Sequence, residues 1–320
     1  MAANTTAVTT WAGVVAQMLV FATARGWGAG PTIVNPVTGT AYDITALADG
    51  LTVTMAGSSP LLTATTNQPR LGGANEVPDD MPPITLFQFG SDSPYHAIDT
   101  EPFLAFVIAF GPFNFRHVYI GGLVKIGNYT AGDVFTANRP YTPYSTSTRQ
   151  FYDTDHRYTF RACCSQNTNG GGGGAKIIHA DNPITYREFS GPANTIQSTL
   201  IQQMNGTEIF GGNGDGVNDG LTHRAKADFA AKHLLMPVNL YVPNGNDGAN
   251  YRIRPLGFAS GARMVNMEGL EPTSRVTLGA DSFRCFPEYE KRIDTFTRGS
   301  GGVFPAYETS KFYGMAYREN

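Results

Sequence analysis

Charge is what this chain has least of. Only 15% of its 320 residues are Asp, Glu, Lys or Arg, against roughly 25% in an average soluble domain. The net charge is −3, so there is no global basic field to hold nucleic acid, and nucleic-acid binding is set aside as a primary role. Cysteine is equally scarce, with three residues, two of them adjacent at Cys163 and Cys164. Neighbouring cysteines bridge each other only with strain and no CxxC spacing is present, which excludes a disulfide framework and a thiolate zinc site. Reduced thiols packed in or near a core are expected instead.

Long apolar runs are missing too. The opening stretch "MAANTTAVTTWAGVVAQMLVFATARGWG" has no basic region ahead of its apolar run, which Gln17, Thr23 and Arg25 interrupt. It is expected to be neither a signal peptide nor a membrane span. "FLAFVIAF" (103–110) has only the eight-residue length of a buried strand.

The common reaction motifs are also absent: no GxSxG, no HExxH, and no GxGxxG between a strand and a helix. The most site-like text is "DTDHRY" (153–158), where Asp153, Asp155 and His156 could ligate a metal or pair a base with an orienting carboxylate. A solvated turn explains the same residues more simply. "QNTNGGGGGAK" (166–176) has five consecutive glycines, and Lys176 leads into the strand-like "IIHADNP" rather than a helix. It reads as a flexible loop tip, not a phosphate loop. In "FGGNGDGVNDGLTHRAKADFAAKHLL" (210–235), Asp215 and Asp219 lack the register of a calcium loop, with Arg224 where a bidentate glutamate would be needed. An exposed loop followed by a helix is expected there. These readings predict no enzymatic role, no cofactor and no bound metal.

What the chain does have is turn formers and aromatics: 37 Gly and 20 Pro, with 20 Phe and 15 Tyr against two Trp. This composition favours short strands joined by turns. The fold class expected is mainly β, sandwich- or barrel-like, with an N-terminal amphipathic helix and long Gly/Pro-rich loops. The helix is placed at 9–25, where Trp11, Val14, Val15, Met18, Leu19 and Ala22 form one apolar stripe, Thr9 or Thr10 caps the start and Gly26 ends it. Strands are read in "TIVNPVTGTAYDI", "GLTVTMAGSSP", "ITLFQFG", "FLAFVIAF", "RYTFRACC", "MPVNLYVPNG", "YRIRPLGFASGARMVNM", "RVTLGADSFRCFPEY" and "FYGMAY". Loops fall at 66–83, 138–150, 166–176 and 211–220. The glycine tract divides the chain into 1–165 and 166–320, either as two β parts or as one domain with a long insertion.

The segment "FNFRHVYIGGLVKIGNYTAGDVF" (113–135) concentrates these features. Phe115, His117 and Tyr119 alternate with Arg116, Val118 and Ile120, the Gly pair interrupts the strand, and "GNYTAGD" turns the chain. A bulged strand and a turn are expected, in a packing or interface role. With few charges around them, aromatics on β surfaces suit extensive protein–protein contact.

"RHVYIGGLVKIGNYTAGDVF" resembles a segment recurring in structural proteins of tailed bacteriophage particles, with Tyr129 where Trp is usual and Ala131 where a second Gly is usual. "RPLGFASGARMVNMEGLEPTSRVTLGADSFRCFPEYEKR" looks like a second block of the same proteins, with Phe283 where Trp is common, and the "RGW" at 25–27 fits the same pattern. The resemblance covers about a third of the chain. It implies a virion component made in the cytoplasm of the bacterial host, without cofactor or membrane, standing in the neck, collar or elsewhere in the tail region. Its partners would be other virion proteins, neck, tail or portal-proximal, and copies of itself in a symmetric ring. Trp11, Met18, Trp27, Phe115, Tyr119, Tyr129, Tyr141, Tyr144, Phe283 and Phe286 are the candidates for such contacts. Two other classes stay open. One is an adsorption module binding host glycan through the Tyr-rich "RPYTPYSTSTRQFYD" (139–153). The other is a glycan-degrading hydrolase using Asp153, Asp155 or His156.

Overall fold

Thr10 is extended (φ −141°, ψ 155°) and its hydroxyl accepts the Gly13 N–H at 3.0 Å, so the first helix, α1, begins at Trp11. α1 (Trp11–Ala24) stops where Gly26 takes φ +76°, a left-handed turn that glycine enters without strain. There the Trp27 N–H returns to the Ala22 carbonyl at 3.1 Å and the Gly26 N–H to that of Thr23 at 3.0 Å, the paired bonds of a Schellman ending. Five of the six stripe residues are buried; Leu19 is partly buried, and Phe21 joins them.

A computed structural model describes residues 2–28, 30–57, 62–67, 83–91, 101–112, 114–125, 132–137, 176–179, 200–201, 235–246, 251–267, 269–287, 296–297, 303–304 and 313–319. Strand β1 (Ala2–Val8) precedes the helix, and β2 (Thr32–Val34), β3 (Ala41–Ala46), β4 (Gly50–Met55) and β5 (Leu62–Asn67) follow it as a four-stranded antiparallel sheet. Then come β6 (Ile84–Gly90), β7 (Phe103–Phe110), β8 (Asn114–Lys125), β9 (Gly132–Ala137), β10 (Lys176–His179), β11 (Leu200–Ile201), β12 (Met236–Asn246) and β13 (Tyr251–Asn266). The rest are β14 (Arg275–Leu278), β15 (Asp281–Pro287), β16 (Phe296–Thr297), β17 (Val303–Phe304) and β18 (Tyr313–Arg318). Strands make up 62% of the described residues, so the mainly-β expectation holds. The segments 139–153, 153–165 and 210–234, including the helix expected there, lie outside the described residues.

The large sheet has 12 strands and curls as a half-barrel. Its path runs β1-β6-β7-β8-β13-β18-β15-β14, with β9 and β10 added beside β8, and β12 and β11 beside β13. β8 pairs with β13 through Leu123↔Ala259, Val124↔Phe258 and Lys125↔Gly257, so the sheet runs straight through the boundary anticipated at 165/166.

Every residue of β7 is buried, which explains why its text is continuously apolar instead of alternating. Leu104, Phe106, Ile108 and Phe110 point to one core, shared with α1 and the β2–β5 sheet. Phe103, Ala105, Val107 and Ala109 point to another, closed by Ala262 of β13, Phe286 of β15 and Met315 and Tyr317 of β18. One sheet region is thus covered on both faces, and the curl brings the β13-β18-β15 end over the β6-β7-β8 face.

The glycine pair of β8 does not form a bulge. Pairing runs unbroken through Gly121 and Gly122 against β9, and Gly121 also pairs with Phe103 of β7. The glycines are there because neighbours come close: an added Cβ on Gly121 would stand 2.6 Å from the Tyr119 hydroxyl, and one on Gly122 2.6 Å from the Glu101 Cβ. Close approach, not an interrupted ladder, explains the motif.

Candidate functional site

The strand order places Phe115, Tyr119 and Phe135, the described aromatics of residues 113–135, inside. Phe115, Tyr119, Phe283 and Phe286 are all at most 1% exposed, as are Met18 and Trp27, while Trp11 is 2% exposed. These seven interface candidates therefore sit in the chain's own interior instead of on an outer face. Trp11 packs at 5.7 Å from the Phe110 ring, and Phe286 is ringed by Phe87, Phe89, Phe115, His117 and Tyr317. Tyr129, Tyr141 and Tyr144 lie outside the described residues, as do Asp153, Asp155, His156, Cys163 and Cys164. Cys285 is buried, and desolvation pushes its thiol up to about 12, in keeping with a reduced core thiol.

Two buried polar constellations were not anticipated. The first is His117, whose Nε2 lies 2.9 Å from the Pro287 carbonyl and whose Nδ1 lies 2.9 Å from the Tyr317 hydroxyl. A carbonyl only accepts, so Nε2 carries the proton and Nδ1 accepts from Tyr317. The imidazole thereby ties β8 to β15 and β18 across the aromatic core. Burial, with Arg116 adding to it, lowers its pKa from 6.5 to about 4, against the opposing effect of the Pro287 bond.

That shift sets an acid sensitivity. The unfolded chain takes up this proton near 6.5 and the folded chain only near 4, so in that window the unfolded state binds more protons. Stability is complete above pH 6.5 and falls on acidification, with roughly 3 kcal/mol lost from this group by pH 4. Asp133 acts in the opposite sense, because its raised pKa relieves the folded state as it protonates. Urea unfolding of the parent and of His117→Gln at pH 7 and pH 4 separates the two. The variant should be less stable at pH 7 and lose less on acidification. Equal losses in both proteins would remove His117 as the cause.

The second constellation surrounds Asp133 of β9. Its Oδ2 accepts from the Tyr42 hydroxyl at 2.8 Å and the Thr38 hydroxyl at 2.9 Å, and its Oδ1 from the Asn35 amide at 3.2 Å. Asn35 in turn holds the β2–β3 turn through the Val37 and Thr38 N–H groups. Desolvation raises the Asp133 carboxyl and the Tyr42 phenol alike, partly offset at Asp133 by these bonds. Three donors from the small sheet thus satisfy a carboxylate on the large one. The arrangement is a strut between sheets. Tyr119 and Ser260 form a third tie: the Tyr119 hydroxyl donates to the Ser260 carbonyl at 2.8 Å, and the Ser260 hydroxyl to the Glu101 carbonyl at 2.6 Å.

Among the described residues, no group of three or more His, Cys, Asp or Glu side chains stands where it could hold a metal ion. No described helix is long and apolar enough to cross a membrane. The outer surface offers a different feature. Residues 2–24 contain no Asp, Glu, Lys, Arg or His, although they form the terminal strand of the large sheet and a surface helix. Ala12, Ala16 and Val20 face outward from that helix, Val20 being 64% exposed. At the other end of the sheet, Leu278 of β14 is 52% exposed. Charge depletion of this kind marks contact surfaces better than bulk apolarity does.

No family model matches the chain, and no curated protein matches it.

Proposed function

We propose that the chain is a structural component of a tailed bacteriophage particle, acting through protein–protein contacts in a symmetric ring in the neck, collar or another part of the tail region. In its finer form the fold of such a component is a β-sandwich with long loops. One observation carries the reading. The two sequence blocks that resemble phage structural proteins, 116–135 and 254–292, are separated by 118 residues of chain and meet in one core, His117 of β8 packing on Phe286 of β15 and Tyr119 bonding the Ser260 carbonyl of β13. A shared packing unit explains why both blocks would recur together without containing reaction chemistry. The uncharged outer surface of residues 2–24 supports an assembly role. On this reading the chain is made in the host cytoplasm and incorporated with neck, tail or portal-proximal neighbours.

Cryo-electron microscopy of purified particles of the encoding phage tests it. Density fitting this chain in a ring at the head–tail junction or along the tail is the expected result. Density confined to fibres or the distal tip would transfer the role to host adsorption. Particles without the chain would overturn the structural reading.

A further inference from the structure

The large sheet has two ends, and both are open among the described residues. β1 pairs only with β6, in seven consecutive antiparallel pairs from Ala2↔Gly90 to Val8↔Ile84, without a register shift. β14 pairs only with β15, again in regular register from Arg275↔Arg284 to Leu278↔Asp281. Edge strands are a hazard that proteins blunt with lysine, proline, bulges or inward charges. β1, "AANTTAV", has none of these. β14, "RVTL", carries one cation, and Arg275 is already held by Glu319 through Nε at 2.6 Å and Nη2 at 3.3 Å. By contrast, the edge of β2 is partly occupied by the chain itself, the Val34 N–H bonding the Trp27 carbonyl at 2.6 Å.

We infer that the β1 edge of one copy adds to the β14 edge of a second copy, joining their sheets head to tail. The occupant is another copy of this chain because both edges belong to one sheet and neither presents an unmatched charge to the other. A contact between two different patches of the same molecule is heterologous, so it repeats from copy to copy and, when the rotation closes, leaves no edge exposed. Backbone hydrogen bonds across the four-residue β14 set the register, and the uncharged face of α1 beside β1 extends the contact. The inference rests on the ring reading above for its setting, but it names a surface that can fail independently.

The test uses the full chain. Thr5 and Thr277 are both exposed. Thr5→Cys and Thr277→Cys proteins, differently tagged, are mixed and oxidised, with the parent alongside to set the background from Cys163, Cys164 and Cys285. The expected result is a mixed Thr5–Thr277 cross-link about tenfold stronger than either protein gives alone. A dominant Thr5–Thr5 product, which means a two-fold contact, or no product above the parent overturns the inference. A Thr5→Lys/Ala7→Lys double variant, altered only at exposed positions, should reduce the parent's oligomer to monomer by native mass spectrometry without lowering its melting temperature. An oligomer unchanged by those lysines overturns it as well. Mass spectrometry of purified particles separates the two ideas. The chain present on particles without the cross-link removes only the edge pairing, whereas the cross-link with the chain absent from particles removes only the virion role.

Discussion

A Gly261→Ala variant is expected to lose about 2–5 kcal/mol of stability, the sum of a backbone cost near 1–2 kcal/mol and an overpacking cost near 1–3 kcal/mol. Gly261 has φ +64°, the left-handed region that L side chains enter at a cost. An added Cβ would also stand 2.0 Å from Phe103 Cε1 and 2.2 Å from Cζ. The ring cannot easily yield, because Phe103 is fully buried and stacked on Tyr119 at 6.2 Å with planes 10° apart. The position matters because β13 there passes from pairing with β8 at 257–259 to pairing with β18 at 262–266. Urea unfolding should show the midpoint falling by about 1–2 M. Gly279→Ala is the control: φ is +63° but nothing lies within 4 Å of the added methyl, so only the backbone cost should appear. Equal effects at the two glycines would refute the close approach of β13 to Phe103.

The second large effect is expected at Phe286. Its ring centroid lies 5.1 Å from that of Phe87, 5.8 Å from Phe89, 6.0 Å from Phe115, 6.3 Å from His117 and 6.4 Å from Tyr317. These partners come from β6, β8 and β18, so the side chain is the point at which the curled end of the sheet meets the β6-β7-β8 face. Phe286→Ala should cost about 3–5 kcal/mol, because rigid rings on several strands cannot collapse into the space left. Phe286→Leu keeps most of the volume and should cost clearly less. Thermal unfolding followed by near-ultraviolet circular dichroism, which reports on packed aromatics, checks both. If alanine costs no more than leucine, the cluster is not close-packed at that point.

How far the sequence discloses this molecule depends on the element. α1 is legible because its signals are local: a threonine cap, a stripe at helical spacing and a glycine stop lie within 17 residues. β7 is legible as a buried strand from its length, but nothing in "FLAFVIAF" says that two different layers cover its two faces. β1 has no alternation and no strong β formers beyond two threonines and a valine, so only its pairing with β6, 76 to 88 residues away, defines it. The Gly121–Gly122 pair carries two meanings in text, bulge or close approach, and the deciding facts are Tyr119 and Glu101. The aromatics around Phe115 read as anchors for a neighbour because a side chain bound for a second layer of its own chain looks the same. In the text His117 is only one member of the Phe115/His117/Tyr119 alternation, since the partners that define its role stand 170 and 200 residues downstream. The uncharged run 2–24 was visible in the sequence. Its place at an open edge was not.

The curl of the large sheet also constrains how the chain is made. Phe87, Phe89, Phe103, Phe115 and Tyr119 leave the ribosome early, whereas Phe286, Met315 and Tyr317, which cover them, come near the end. At translation speeds of about 5–20 residues per second, Tyr119 waits roughly 10–40 s for Tyr317 to be synthesised. Through that interval an aromatic sheet face is open to solvent and to other nascent chains. Truncation upstream of residue 283 would make the exposure permanent. Soluble yield should therefore collapse in such truncations while full-length protein accumulates, and co-expressed chaperones should help most during synthesis rather than after release.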